Sequence, residues 1–432
     1  MRKILIPALP LFLMAASLSG QNPICPEGIY IADPTARVAP DGRLYVYGSL
    51  DIRPGKYCSD RYHVLSTGDL REWTLKRESF RYEKTLYAPD VMYRDGTYYL
   101  YFDTPDGSEF VAHSTSPEGP FHGAERIEGP RQIDPNIFVD DDGQAYYFWG
   151  QFSAKGARMN PDMKTLDLST LVDGIVTEKD HHFHEGSYVI KRNGYYYFIF
   201  ADISRRGRPT CLGYAMSSSP LGPYTYKGVI IDNYGCDPSS WNNHGSLVCF
   251  GDQWYVFYHR STHGCKSMRK ACVEPIVFLE DGTIPEVEMT SQRAGGPLSA
   301  FLPVPAGRAC GLSGHIRIRE EEGAEVLGGI RDGDTAVWKY LDFSHRGARR
   351  ILLDIIPGGS GNSGGWIEVR SDSADGRLLG RIAVPAGEGR QTVSSRIRKV
   401  RGVHALHLTF CSAGEDVPPG DLPFTLRSVR FR

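Results

Sequence analysis

Between Ile31 and about Gln292, short alternating runs of apolar and polar residues group into five units of one design. Each unit opens on a polar signature, enters a short strand pattern, turns at a glycine and returns through an aromatic run. The units are ADPTARVAPDGRLYVYGS from Ala32, APDVMYRDGTYYLYFDT from Ala88, DPNIFVDDDGQAYYFWG from Asp134, EGSYVIKRNGYYYFIFAD from Glu185 and HGSLVCFGDQWYVFYHR from His244. Their turn glycines are Gly42, Gly96, Gly143, Gly194 and Gly251. Asp-Gly and Asn-Gly between alternating strands predict tight hairpins, because these residues tolerate positive φ. Three units continue into a further strand: YHVLSTGDLREW, FVAHSTSPEGPF and LGYAMSSSPLGPY.

Units of about 50 residues, each a small antiparallel sheet, bury their faces only by stacking on their neighbours. Five of them around an axis make a five-bladed β-propeller. A many-stranded sandwich would not need a shared signature at each unit's start. The pattern contains no amphipathic helix, and Met163 to Ile175 reads as a loop or short turn.

After Gly295-Gly296-Pro297 the pattern changes. TAVWKYLDF, RRILLDII, GWIEVRS, LLGRIAVP, QTVSSRI and HALHLTF are short alternating strands separated by Gly, Pro and Asp turns. They predict a β-sandwich of jelly-roll type. The expected organisation is a leader at 1–20, a propeller at 21–297 and a sandwich at 298–432, all-β throughout.

The leader MRKILIPALPLFLMAASLSG has two positive charges, an apolar run and small residues. It reads as a secretory signal peptide, so the mature chain is expected outside the cytoplasm and without a transmembrane segment. Without it the chain carries 47 basic and 51 acidic residues. The segment Phe301 to Arg432 has 19 basic and 15 acidic residues, spread over strands and turns, which argues against a nucleic-acid partner. Nine cysteines cannot all pair, and no CxxC spacing suggests zinc.

In a propeller the first strand of each blade lines the central channel, so the residues leading those strands converge. Here they are Asp33, the Ala88-Pro89-Asp90 corner, Asp134, Glu185 and His244. Crowded carboxylates repel, and at least one then holds its proton near neutral pH. A carboxylic acid facing a carboxylate is the minimum equipment for cleaving a glycosidic bond. His244 admits three readings: a metal ligand in the channel, an orienter of a carboxylate, or a hydrogen-bonded part of the wall. Asp140-Asp141-Asp142 lies at an outer turn and reads as a solvated turn. Trp149, Trp241, Phe102, Tyr258, His259 and Arg269 are candidates for holding sugar, by ring stacking or paired hydrogen bonds, and Asp90 and His244 are further candidates for contacting substrate in the channel. No G-K-[ST] phosphate cradle is present. The G-x-S-x-G and G-x-G-x-x-G strings within 359–365 fall in a Gly/Ser-rich stretch between two strand patterns, without the following helix that a nucleophile elbow or a dinucleotide cradle needs.

The stretches IADPTARV, YAPDVMYRDGTYYLYF, IDPNIFVDDDG, HEGSYVIKRNGYYYFIF and NNHGSLV resemble glycoside hydrolase family 43 in combination. That resemblance implies a five-bladed propeller acting with inversion on an oligosaccharide or polysaccharide. Asp33 matches the family's general base, Glu185 its general acid, and Asp134 the carboxylate that raises the acid's pKa and keeps its own charge. His244 matches a histidine that in some members reaches a channel calcium or its waters, and Arg269 a basic residue that contacts substrate. No cofactor is expected to be required. An exo-acting enzyme on arabinofuranosyl or xylosyl linkages is favoured over galactan-active, endo-arabinanase or non-catalytic sugar-binding alternatives. The choice of sugar is expected to lie in loops at Ser153 to Glu178 and Asp202 to Thr210. RDGDTAVWKYLDF, GGWIEVRSDSADGRLLGRIAVP and GVHALHLTF resemble carbohydrate-binding module family 6. Trp338 and Trp366 are the candidates for a sugar platform there.

Overall fold

The computed structural model describes residues 21–238, 240–292, 294–358, 365–412 and 422–432. The leader reading falls outside them. The described chain is almost wholly β, and none of its helices is long and apolar enough to cross a membrane.

Five antiparallel sheets follow one another in sequence order. Their inner strands are Tyr30–Val38, Asp90–Arg94, Asn136–Val139, Phe183–Arg192 and Ser246–Phe250. Blades I to IV have four strands and blade V has three. The extended stretch at 22–24 lies along the last strand of blade V, where the Ile24 N–H donates to Ala271 O (2.9 Å). The Val273 N–H donates to Asn22 Oδ1 (3.0 Å), so the first residues close the ring beside the last blade. All five hairpin glycines have positive φ, between 62° and 83°.

The outer strands depart from the sequence reading. Leu166–Thr177, expected as loop, is the fourth strand of blade III. Its exposed, mixed polar surface hides the alternation that a half-buried strand shows. For the same reason Ser153 to Glu178 is not a free loop, since Ser153–Met159 and Leu166–Thr177 pair with each other. One helical turn, Glu178–His181, follows; Thr177 caps it by accepting from the Asp180 N–H (3.2 Å), and His182 ends it at φ 61°. Asp140, in the acidic triplet at an outer turn, is only 10% exposed and binds Lys191 (2.5 Å), so this member of the triplet is tied to blade IV rather than solvated.

The inner strands are stitched together across the channel. Asp90 accepts two hydrogen bonds from Arg37 of blade I (3.0 and 2.6 Å), and the Asn136 amide (2.7 Å) and Ile137 N–H (2.9 Å) of blade III. Asn136 Oδ1 accepts from the Val189 N–H of blade IV (3.0 Å), and Tyr188 donates to Ala36 O (3.2 Å). Ser246 of blade V accepts from the Ala36 N–H (3.0 Å) and donates to Pro34 O (2.8 Å). Asp90 is 1% exposed with both oxygens used, which corrects its expectation as a substrate contact.

Beyond the propeller, two six-stranded sheets pack face to face. All six strands expected from the alternation are present, from Thr335–Asp342 to Val403–Cys411. Val304–Pro305, Arg317–Glu321, Ala324–Gly328 and Phe424–Phe431 complete the second sheet. Trp338 is fully buried in the core between the sheets, so it is not a sugar platform. Trp366 is half-buried at the start of its strand. All nine cysteines are free thiols.

Candidate active site

Asp33, Asp134 and Glu185 occupy equivalent places at the start of three inner strands, and the backbone there is unusual. Asp33 has φ 51° and Asp134 φ 61°, a left-handed conformation that aspartate tolerates better than most residues. Glu185 lies in a break in strand register and is followed by Gly186 at φ 79°. A Cβ on Gly186 would lie 2.9 Å from the His244 ring, so only glycine lets blades IV and V approach here. Each acid is thereby turned out of its ladder at the head of the channel.

Asp33 is held as an anion. Its Oδ1 accepts from Arg269 Nη1 (2.8 Å), and the same guanidinium grips Asp51 with Nε (3.0 Å) and Nη2 (3.1 Å). Asp51 also accepts from the N–H groups of Met268 and Arg269 (both 3.0 Å) and of Cys58 (3.1 Å). Arg269 stacks on the Tyr57 ring, 4.1 Å from its centroid. Burial works to raise the Asp33 pKa. Arg269, then His259, His244 and Ser49 outweigh it, so Asp33 ionises below the ordinary carboxylate range.

The tautomer of His259 follows from its bonds. Nδ1 receives the Asp33 N–H (3.1 Å), so it carries no proton, and Nε2–H donates to Asn242 O and Oδ1 (both 3.0 Å). Burial and then Arg269 push its pKa down to about 3. His259 is thus neutral, and its 3.4 Å approach to the Asp33 carboxylate is no ion pair. His244 Nδ1 lies 3.7 Å from Asp33, and burial lowers its pKa too.

On the Asp134 side, burial pushes the acids towards the protonated form. Burial, then Glu185, Asp103 and Asp33, raise the Asp134 pKa well above its usual value. Asp103 accepts the Asp134 N–H (3.2 Å), and it and Glu109 are raised chiefly by burial. Burial among other acids thus works against a charge on Asp134, the opposite direction to the one expected from the family resemblance. Glu185 Oε2 accepts from the Gln151 amide (2.9 Å).

Other sequence candidates divide by burial. Trp241 is 52% exposed at the rim, with Lys266 Nζ 3.5 Å from its ring centroid. Its neighbour Asn242 holds both His259 and the Tyr57 hydroxyl (3.1 Å). Phe102, Trp149 and Tyr258 are corrected to core residues wedged within and between blades. Arg269 is fully buried and acts on Asp33 rather than on sugar. His259 likewise serves the wall. Around His244 the ligands are one imidazole and a carboxylate already taken by a guanidinium. Calcium wants six to eight oxygens, so this donor set does not fit a directly bound ion. Among the described residues no cluster of three or more His, Cys, Asp or Glu could hold a metal.

Asp51, Tyr57, Gln151, Asn242 and Asp103 escaped the sequence reading. A signal existed for two of them: Asp51, Asp103 and Asp202 each end the second strand of their blade.

An acid paired with a buried guanidinium, beside a cluster of buried acids pushed towards protonation, in a five-bladed propeller, is acid–base equipment for glycoside cleavage. Residues 21–284 match the model for glycosyl hydrolases family 43, and the chain belongs to that family as an inverting glycoside hydrolase. Residues 312–431 match carbohydrate binding module family 6. A xylosidase/arabinosidase of Thermoclostridium stercorarium is 31% identical, covering 91% of this chain and 96% of its own. A β-xylosidase of Xylanibacter ruminicola is 32% identical over 53% of this chain and 87% of its own. The crystal structure of a family 43 arabinoxylan arabinofuranohydrolase from Bacillus subtilis, with cellotetraose, is 25% identical. It covers 95% of this chain and 97% of its own at a TM-score of 0.54.

Proposed function

We propose that this protein is an exported, exo-acting hydrolase that removes arabinofuranosyl or xylosyl units from plant cell-wall polysaccharides or their fragments. The observation that carries the mechanism is the contrast in surroundings: Asp33 is bonded to Arg269 (2.8 Å), whereas Asp134 is buried among Glu185, Asp103 and Asp33. Environments that push two acids apart mark which is base and which side holds the proton. Asp33 takes a proton from water on one face of the sugar. Glu185, beside the buried Asp134, protonates the departing oxygen in the same displacement. Glu185 is left as a carboxylate and Asp33 as an acid, and buried surroundings that favour a protonated Asp134 keep a second negative charge from crowding Glu185 as it forms.

Exo action is supported by the likeness to the xylosidase/arabinosidase and β-xylosidase relatives. The names of the relatives favour arabinose or xylose as the sugar released. Aryl α-L-arabinofuranoside, β-xyloside and β-galactoside test this directly. Turnover of either pentoside, with loss of about 10³-fold or more in Glu185→Gln and Asp33→Asn, is expected. Wild-type turnover in folded Glu185→Gln would remove Glu185 from the mechanism.

A further inference from the structure

The sandwich reaches the propeller on either side of Arg269. Lys270, the next residue, is buried in blade V and forms an ion pair with Glu325 of the sandwich, itself 3% exposed. Lys270 Nζ also bonds Pro26 O (3.2 Å) and sits 4.8 Å from the centroid of the Tyr30 ring, at the head of the strand that carries Asp33. Residues 262–268 join the strands of blade V and carry Lys266, which covers Trp241 at the rim. That connection is gripped from the sandwich by Arg317, whose Nε lies 3.9 Å from Asp237 Oδ1. The other Asp237 oxygen accepts the Gly264 N–H (3.1 Å), and a Cβ on Gly264 would come within 2.9 Å of Arg317 Nε.

We infer that the sandwich is a structural part of the catalytic wall, with Glu325 a positioning residue that fixes Lys270, and through it the alignment of Arg269 with Asp33. A buried charge needs its partner in place, so Lys270 cannot shift without Glu325. Lys270 bridges the strand of the base and the strand of its guanidinium. Its displacement therefore alters the 2.8 Å contact between them. This role is independent of any sugar bound by the sandwich, and it rests on Asp33 being the base.

The test uses the full chain and a short aryl glycoside. In Glu325→Gln, kcat is expected to fall about tenfold while KM stays within about twofold, since the effect is on the base and not on binding. The acidic limb of the pH profile moves upward as Asp33 loses Arg269, with His259, His244, Ser49 and, across the channel, Glu185 still around it. Glu325→Asp recovers part of the rate. The double variant K270M/E325L exchanges the pair for apolar groups, keeps the chain folded and shows the same loss; it carries the test if Glu325→Gln does not fold. Wild-type kcat and acidic limb in the folded double variant would overturn the inference. Asp33→Asn, run alongside, separates the cases: if it remains active, the base assignment fails instead.

Discussion

At Asp33 two effects of opposite sign compete, and the guanidinium wins. Burial alone disfavours the anion, but a charge-assisted bond from a side chain that is itself pinned by Asp51 reverses the balance. The fork geometry matters because Arg269 serves Asp33 and Asp51 at once, which an ammonium cannot reproduce. Arg269→Lys is therefore expected to raise the Asp33 pKa, move the acidic limb of kcat/KM to higher pH and lower its plateau, as a pH–rate profile would reveal. An unmoved limb would mean that Arg269 does not tune the base. The three acids were legible in the sequence because one repeat placed them at one address. Their protonation was not, because it depends on cations and neutral imidazoles delivered from distant residues. Asp134 shows the difference: its address was readable, but the upward push on its pKa comes from burial and from Glu185 and Asp103, which the repeat alone does not place beside it.

The elements hold these residues through polar stitches rather than through the apolar cores alone. Asp90 shares the leading position but not the chemistry, since Arg37, Asn136 and Ile137 use both its oxygens. Removing it leaves Arg37 without its charge partner. Asp90→Ala should cost about 3–5 kcal/mol in denaturant unfolding, with KM for an aryl glycoside unchanged in the folded fraction. A raised KM at full stability would instead make Asp90 a substrate contact. At this scale the hairpins and their glycines were readable, and so were the sandwich strands. The fourth strands of the blades were not, since an exposed outer strand such as Leu166–Thr177 lacks a clean two-residue period. Aromatic residues were ambiguous for a related reason. Trp241 and Trp149 look alike in sequence, and only the packing of neighbouring blades leaves one at the rim and buries the other.

For the molecule as a whole, buried titratable groups narrow stability from both sides. Burial pushes Glu274 up to about 8, although Thr290 and Tyr258 donate to it. A raised folded-state pKa means that the native form keeps a proton the unfolded chain has released, so its contribution is lost as pH rises from the ordinary range towards 8. Each such group lowers stability by about 1.4 kcal/mol per pH unit in that window. His259 works in the other direction. Held near 3, it stays neutral when the unfolded chain would protonate, so stability falls as pH drops below about 6.5. Melting temperatures across pH 5 to 8 should decline on the alkaline side, and Glu274→Gln should flatten that decline. An unchanged slope in that variant would show that Glu274 ionises at its ordinary pH in the folded protein.

The central claim is a single displacement, with Asp33 activating water and Glu185 protonating the leaving oxygen. Time-resolved proton NMR of aryl pentoside hydrolysis reads it from the first sugar released. The anomer opposite in configuration to the substrate should appear first and then mutarotate. Initial release of the retained anomer would contradict the account, because it requires a carboxylate to attack the sugar itself.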